Sequence, residues 1–195
     1  AMGCTFCRTA KMGFLRNLEA GEILEQINRV NWHLEDSNSL SREGLAAKVT
    51  NIIFMGMGEP LNNLDNVHRT CSILHQQKLF NMGKKRMIIS TSGIVPKIKE
   101  LVDRNTPCCL AVSLNSSNNQ QRSSVMPVND VWPIEALLEA TDEYTRRTGN
   151  YVTFEFVLIK NITCTKAAVI ELVCICATRR CKVNAIALHD GDNNS

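Results

Sequence analysis

Short apolar, β-branched runs alternate with helical periodicities along nearly the whole chain, and this alternation restricts the fold more than any other feature. Ile23, Ile27, Val30 and Leu34 step by four, three and four positions, so the spacing predicts a helix over 21–34. The polar stretch 35–48 reads as a loop. Residues 49–55 form a strand-like run, and Gly56, Gly58 and Pro60 turn the chain after it. Val67, Cys71 and Leu74 mark a helix over 64–76. The cycle continues with strands over 86–90, 108–114, 151–159 and 181–188, and with helices over 95–104, 134–148 and 165–177. Residues 115–124 are a polar run. Strands separated by helices imply parallel βαβ units and an α/β fold. Five strands suit either an open doubly wound sheet or a partial barrel, and both place their sites at the C-terminal strand ends. The segments just after the strands are Gly56-Met57-Gly58-Glu59-Pro60, Ser90-Thr91-Ser92-Gly93, Ser113-Leu114-Asn115, Asn161 and His189. Most are small or polar, as ligand-contacting turns require.

Composition narrows the class. With 195 residues, 44% hydrophobic and 21% charged, the chain can bury a core, and disorder is excluded. No apolar run approaches the roughly 18 residues of a membrane span, so no membrane partner is expected. The net charge of +3 permits a nucleic-acid partner without arguing for one. Ala1-Met2-Gly3-Cys4 lacks the features of a secretory signal, and nine is an odd number of cysteines. A reducing compartment follows, and the expected location is the cytoplasm, with an organelle left open. Met2 is not the first residue, which suggests a piece of a longer or processed product.

Cys4-Thr5-Phe6-Cys7 is a C-x-x-C, and alone it suits half a zinc site, a redox pair or part of an iron–sulfur motif. A zinc site needs a second pair. Cys108 and Cys109 are adjacent, and Cys174, Cys176 and Cys181 read as helix and strand positions. A thioredoxin-like pair follows a strand, and none precedes Cys4. The order of motifs is more specific. After the cysteines come Arg8-Thr9-Ala10-Lys11-Met12-Gly13-Phe14 and Asn17-Leu18. Next are Met55-Gly56-Met57-Gly58-Glu59-Pro60-Leu61-Asn62-Asn63, Ser90-Thr91-Ser92-Gly93 and Ser113-Leu114-Asn115. This series resembles the radical S-adenosylmethionine enzymes, and within them the RlmN/Cfr family of RNA adenine methyltransferases. The resemblance runs from Gly3 to about Ile186.

The resemblance implies a partial (β/α)6 TIM-type barrel whose first strand precedes the cysteine loop and lies outside this chain. Residues 1–189 would be the core domain and 190–195 a polar tail. The family motif is C-x-x-x-C-x-x-C. Cys4 and Cys7 match its second and third cysteines, and the first falls immediately before Ala1. Three thiolates hold a [4Fe–4S] cluster and leave one iron open for S-adenosylmethionine. By the same likeness, Phe6 would lie against the adenine and Gly58-Glu59 would meet the methionine amino group. Ser90, Ser113, Leu114 and Asn115 would hold the ribose and carboxylate side. Asn115 stands where many relatives carry His. The implied reaction methylates a ring carbon of adenine in ribosomal RNA, with transfer RNA as a second substrate and a flavodoxin or ferredoxin as electron donor. Glu59→Ala should then weaken cofactor binding and leave the fold intact.

Some features depart from the family. Lys182-Val183-Asn184-Ala185-Ile186 is similar to its last strand, but Ala187-Leu188-His189-Asp190-Gly191 follows in place of P-W-N-P, with His189 where a cofactor-contacting Asn is expected. No cysteine matches the methyl-carrying one, because Cys181 comes too early, so no catalytic residue is assigned. These departures admit an alternative, an inactive remnant that binds RNA or a partner. His33, His68, His75 and His189 are scattered and read as surface residues. Lys84-Lys85-Arg86, Arg146-Arg147 and Arg179-Arg180 read as solvated element ends. Arg8, Lys11 and Arg16 flank the cysteine loop and are better placed to meet phosphate. No Walker A motif or complete G-x-G-x-x-G is present.

Overall fold

The computed structural model describes residues 2–37 and 47–188. His189, the tail 190–195, Ala1 and most of the predicted loop lie outside the described residues. The elements are α1 (Ala20–Asp36), β1 (Ile52–Phe54), α2 (Leu64–His75), β2 (Met87–Thr91), α3 (Val95–Asp103) and β3 (Cys109–Ser113). They continue with α4 (Asn119–Val125), α5 (Ile134–Thr148), β4 (Val152–Leu158), α6 (Lys166–Ala177) and β5 (Cys181–Ala187). Short 3-10 turns occupy Arg8–Met12, Pro60–Asn63, Lys84–Arg86 and Pro127–Asp130.

All five strands are parallel, in the order β1-β2-β3-β4-β5. Each crossover therefore advances by one strand in the same direction. A doubly wound sheet would reverse its order at a switch point, so the winding is that of an unclosed partial barrel. Right-handed crossovers put the helices on one side. In agreement, α1 packs on α2, α2 on α3 and α3 on α5. The core lies between helices and sheet and includes Leu74, Met87, Ile89, Ile98, Leu110, Val112, Leu137, Tyr144 and Phe154.

The central strands β2, β3 and β4 are mostly buried, whereas β1 exposes Ile53 and β5 is exposed along nearly its whole length. Two expectations change. β1 is shorter than 49–55, because only Ile52–Phe54 meet Met87–Ile89 of β2. The polar run after β3 contains the helix α4, whose buried residues are Arg122 and Val125, so no apolar stripe announces it. Asn118 caps it by accepting from the Gln121 amide at 3.0 Å. α6 is apolar on more than its core face, and Val169, Ile170 and Val173 are more than half exposed.

Phe154 is fully buried, so Phe154→Ala should lower the unfolding free energy by about 3–5 kcal/mol. Val169→Ala, on the outer face of α6, should change it by no more than about 0.5 kcal/mol. Urea denaturation of the two variants checks both values.

Candidate functional site

At the C-terminal strand ends the chain encloses one open cavity. Its walls are Cys4, Phe6, Cys7 and Thr9 from the N-terminal segment, and Gly56, Gly58 and Glu59 after β1. Ser90, Thr91 and Ser92 come from the end of β2, Ser113 and Asn115 from the end of β3, and Met126 from beyond α4. Residues separated by more than a hundred positions thus meet, and nearly every residue expected of the site is among them.

The cysteine loop is fixed by its backbone. The Thr5 amide donates to the Val125 carbonyl at 3.0 Å, and the Cys7 amide to the Cys4 carbonyl at 3.2 Å. Met2, Cys4 and Phe6 pack on the buried residues Val125, Met126 and Val128. Phe6 is therefore at once a packed aromatic and a cavity wall. Burial, and then the neighbouring Cys7, pushes the Cys4 thiol up, while a backbone hydrogen bond and the Arg122 charge pull against that rise.

Glu59 ties two strand ends together. One carboxylate oxygen accepts from the Ser92 amide and the Ser92 hydroxyl, both at 2.7 Å, and the other from the Leu61 amide at 3.1 Å. Glu59→Ala would break all three bonds, so it should cost stability as well as cofactor binding. Gly58 beside it has φ +100°, a conformation that strains any L side chain, and open space lies where a Cβ would stand.

Ser90 and Ser113 line the cavity, but Leu114 does not: its side chain is fully buried in the core. Leu114 serves through its carbonyl, which accepts from Arg122 Nε at 2.9 Å. Asn115 is largely occupied by the fold. Its amide nitrogen donates to the Glu155 carbonyl at 3.1 Å and its side-chain oxygen accepts from the Val157 amide at 3.1 Å, while Nδ2 lies 3.2 Å from Met126 Sδ. Asn115 thus extends the pairing of β4 beyond the point where β3 ends.

Two groups went unnoticed in the sequence. Arg122 is fully buried, and its guanidinium donates to the carbonyls of Leu114, Ser113 and Ser92 and to Asn129 Oδ1. Burial pushes it down to about 10. One signal could have revealed it: Arg122 is the lone charged residue of the run 115–125. Glu155, also buried, accepts from Asn184 Nδ2 at 2.6 Å across β4 and β5.

Other sequence candidates separate from the cavity. Arg8 and Lys11 are exposed on the turn whose Thr9 and Ala10 line it. Arg16 is instead engaged by Glu22, with bonds of 2.7 and 2.6 Å, and so is taken from the phosphate-facing set. Lys84–Arg86 precede β2, at the opposite end of the sheet. His68 Nδ1 lies 2.9 Å from Thr106 Oγ1, and His75 Nδ1 donates to the Met82 carbonyl at 2.9 Å. Burial pushes Cys71 up to about 12. Among the described residues no group of three or more His, Cys, Asp or Glu could hold a metal ion. No described helix is long and apolar enough to cross a membrane.

The fold and much of the sequence recur in known proteins. Residues 1–165 match the family model for the radical SAM superfamily, SAM being S-adenosylmethionine. A protein of Dictyoglomus turgidum named "Probable dual-specificity RNA methyltransferase RlmN" is 42% identical over 185 residues, covering 95% of this chain and 51% of that protein. The "Dual-specificity RNA methyltransferase RlmN" of Syntrophobacter fumaroxidans is 39% identical over 184 residues, covering 94% and 51%. The crystal structure of a radical SAM methyltransferase from Sphaerobacter thermophilus superposes with a TM-score of 0.88 at 39% identity, over 96% of this chain and 53% of that one. The chain thus spans about half the length of these relatives.

Ser92→Ala removes one of the three bonds to Glu59 and should cost about 1.5 kcal/mol of stability, and Glu59→Ala should cost more. Urea titration of the two variants, each against the parent, checks the order.

Proposed function

The chain belongs to the radical SAM superfamily, and from that premise we propose that it works as an RlmN-type RNA methyltransferase. Its substrate is an adenine of ribosomal RNA, methylated at a ring carbon, with transfer RNA as a second substrate. The convergence of Cys4 and Cys7 with Gly58, Glu59, Ser90 and Ser113 on one cavity carries this reading. The names of the relatives support it over an inactive remnant.

The residues present suit an iron–sulfur cluster and S-adenosylmethionine. Cys4 and Cys7, on a backbone-pinned loop, would supply two of the three thiolates that such a cluster takes in this family. When bound, the cluster supplies the electron that cleaves the sulfonium of S-adenosylmethionine, chemistry that no side chain can perform. The chain binds and orients. Gly58 leaves room beside its backbone for the methionine ammonium, and Glu59, held by Ser92 and Leu61, presents negative charge to it. Ser90 and Ser113 offer hydroxyls to the ribose and carboxylate, and Asn115 offers its side-chain Nδ2. Phe6 covers the adenine and keeps water out. Arg8 and Lys11 meet RNA phosphates at the rim, and a flavodoxin or ferredoxin delivers the electron.

Anaerobic reconstitution of the purified protein with iron and sulfide tests the proposal. The expected result is visible cluster absorbance, release of 5′-deoxyadenosine from S-adenosylmethionine under a strong reductant, and methyl label in ribosomal RNA. Cys4→Ala and Cys7→Ala should each abolish all three. A folded protein that takes up no iron, or that holds a cluster without cleaving S-adenosylmethionine, would overturn it.

A further inference from the structure

We propose that Arg122 is the buried counter-charge of this cofactor site, a positioning residue that sets the potential in which the cluster sits without touching substrate. The inference rests on the radical SAM reading above.

Three observations carry it. First, the guanidinium is fully buried, and its four hydrogen bonds all end on neutral acceptors: the carbonyls of Ser92, Ser113 and Leu114, and Asn129 Oδ1. Among the described residues no carboxylate forms an ion pair with it, whereas Arg16, Arg29, Arg104, Arg147 and Arg179 all have one. A buried cation without a partner anion is expensive. The planar fork accounts for the four bonds, which the two N–H donors of a neutral amide could not make, but it leaves a full positive charge without an anion. A charge kept here points to an anion that arrives from outside the fold.

Second, the cavity beside it gathers negative charge. Cys4 and Cys7 must be thiolates to hold iron, and their loop is fixed by the Thr5 amide to the Val125 carbonyl, at 3.0 Å, on the same helix that carries Arg122. Third, Arg122 and Glu59 grip the same residue from two sides. Ser92 gives its amide and hydroxyl to Glu59 and its carbonyl to Arg122. The fixed cation therefore stands one peptide behind the carboxylate that faces the cofactor.

Charge bookkeeping gives the consequence. When a reduced flavodoxin or ferredoxin passes one electron to the cluster, the donor is oxidised and the cluster gains one negative charge. A fixed cation nearby favours that reduced state. Arg122→Gln keeps two N–H donors and removes the charge, while Arg122→Lys keeps the charge and loses the planar fork.

The experiment is a redox titration of the reconstituted wild type, Arg122→Gln and Arg122→Lys, followed by electron paramagnetic resonance of the reduced cluster. Thermal melts of all three run in parallel. The expected result is a midpoint shifted to more negative potential in Arg122→Gln, with several-fold less reduced cluster at the wild-type midpoint. Arg122→Lys should stay near the wild type, although both variants melt earlier. An unmoved midpoint in Arg122→Gln, or equal shifts in both variants, would overturn the role and leave Arg122 a structural tie. Failure of Arg122→Gln to fold, with a wild-type midpoint in a folded Arg122→Met, would overturn it equally. A wild-type protein without a cluster would instead overturn the cofactor reading, and this role with it.

Discussion

One buried guanidinium holds the mouth of the sheet together. Parallel strands end in carbonyls that their neighbours no longer satisfy once the ladder stops. At the ends of β2 and β3 those of Ser92, Ser113 and Leu114 converge on Arg122. The neighbouring backbone adapts to that side chain. Gly93 runs at φ +106°, and a Cβ there would stand 3.3 Å from Arg122 Nη2 and 3.0 Å from Leu137 Cδ1. Glu59 completes the mouth by joining the exit of β1 to the exit of β2 through Ser92. Site geometry is thus set by bonds among strand exits, with the hydrophobic core behind them as a platform.

Much of the fold was legible in the sequence, because apolar burial leaves a period that can be counted. The helices α1, α2, α3, α5 and α6 and the strands β2 to β5 lie within a few residues of the expected spans. Strand order was not legible, since periodicity says which face is buried and nothing about which strand lies beside which. The helix α4 escaped because its inward side is an arginine and a valine, with no stripe of apolar residues. The short β1 escaped because only three residues of the apolar run 49–55 pair with β2, and pairing leaves no period in the sequence.

The candidate site was legible as a set of residues and illegible as a set of bonds. Motif order brought Cys4, Cys7, Glu59 and the serines to attention. It could not tell that Glu59 holds Ser92, 33 positions away, or that Leu114 points into the core and lends only its carbonyl. Nor could it tell that Arg16 closes on Glu22, six residues on, since a charge flanking a loop looks free until the loop is folded. Asn115 shows the same limit. Residue type suggested a ligand contact, while its side-chain oxygen spends itself on Val157, 42 positions later.

The bond from the Thr5 amide to the Val125 carbonyl has a mechanical meaning. Val125 ends the same seven-residue helix that carries Arg122, so α4 holds the thiol loop on one side and the guanidinium on the other. Any small rocking of that helix carries both together. Through Arg122 the same helix also grips the exits of β2 and β3, so the thiol loop, the guanidinium and the strand ends share one frame, and a distortion at any one of them is passed to the other two.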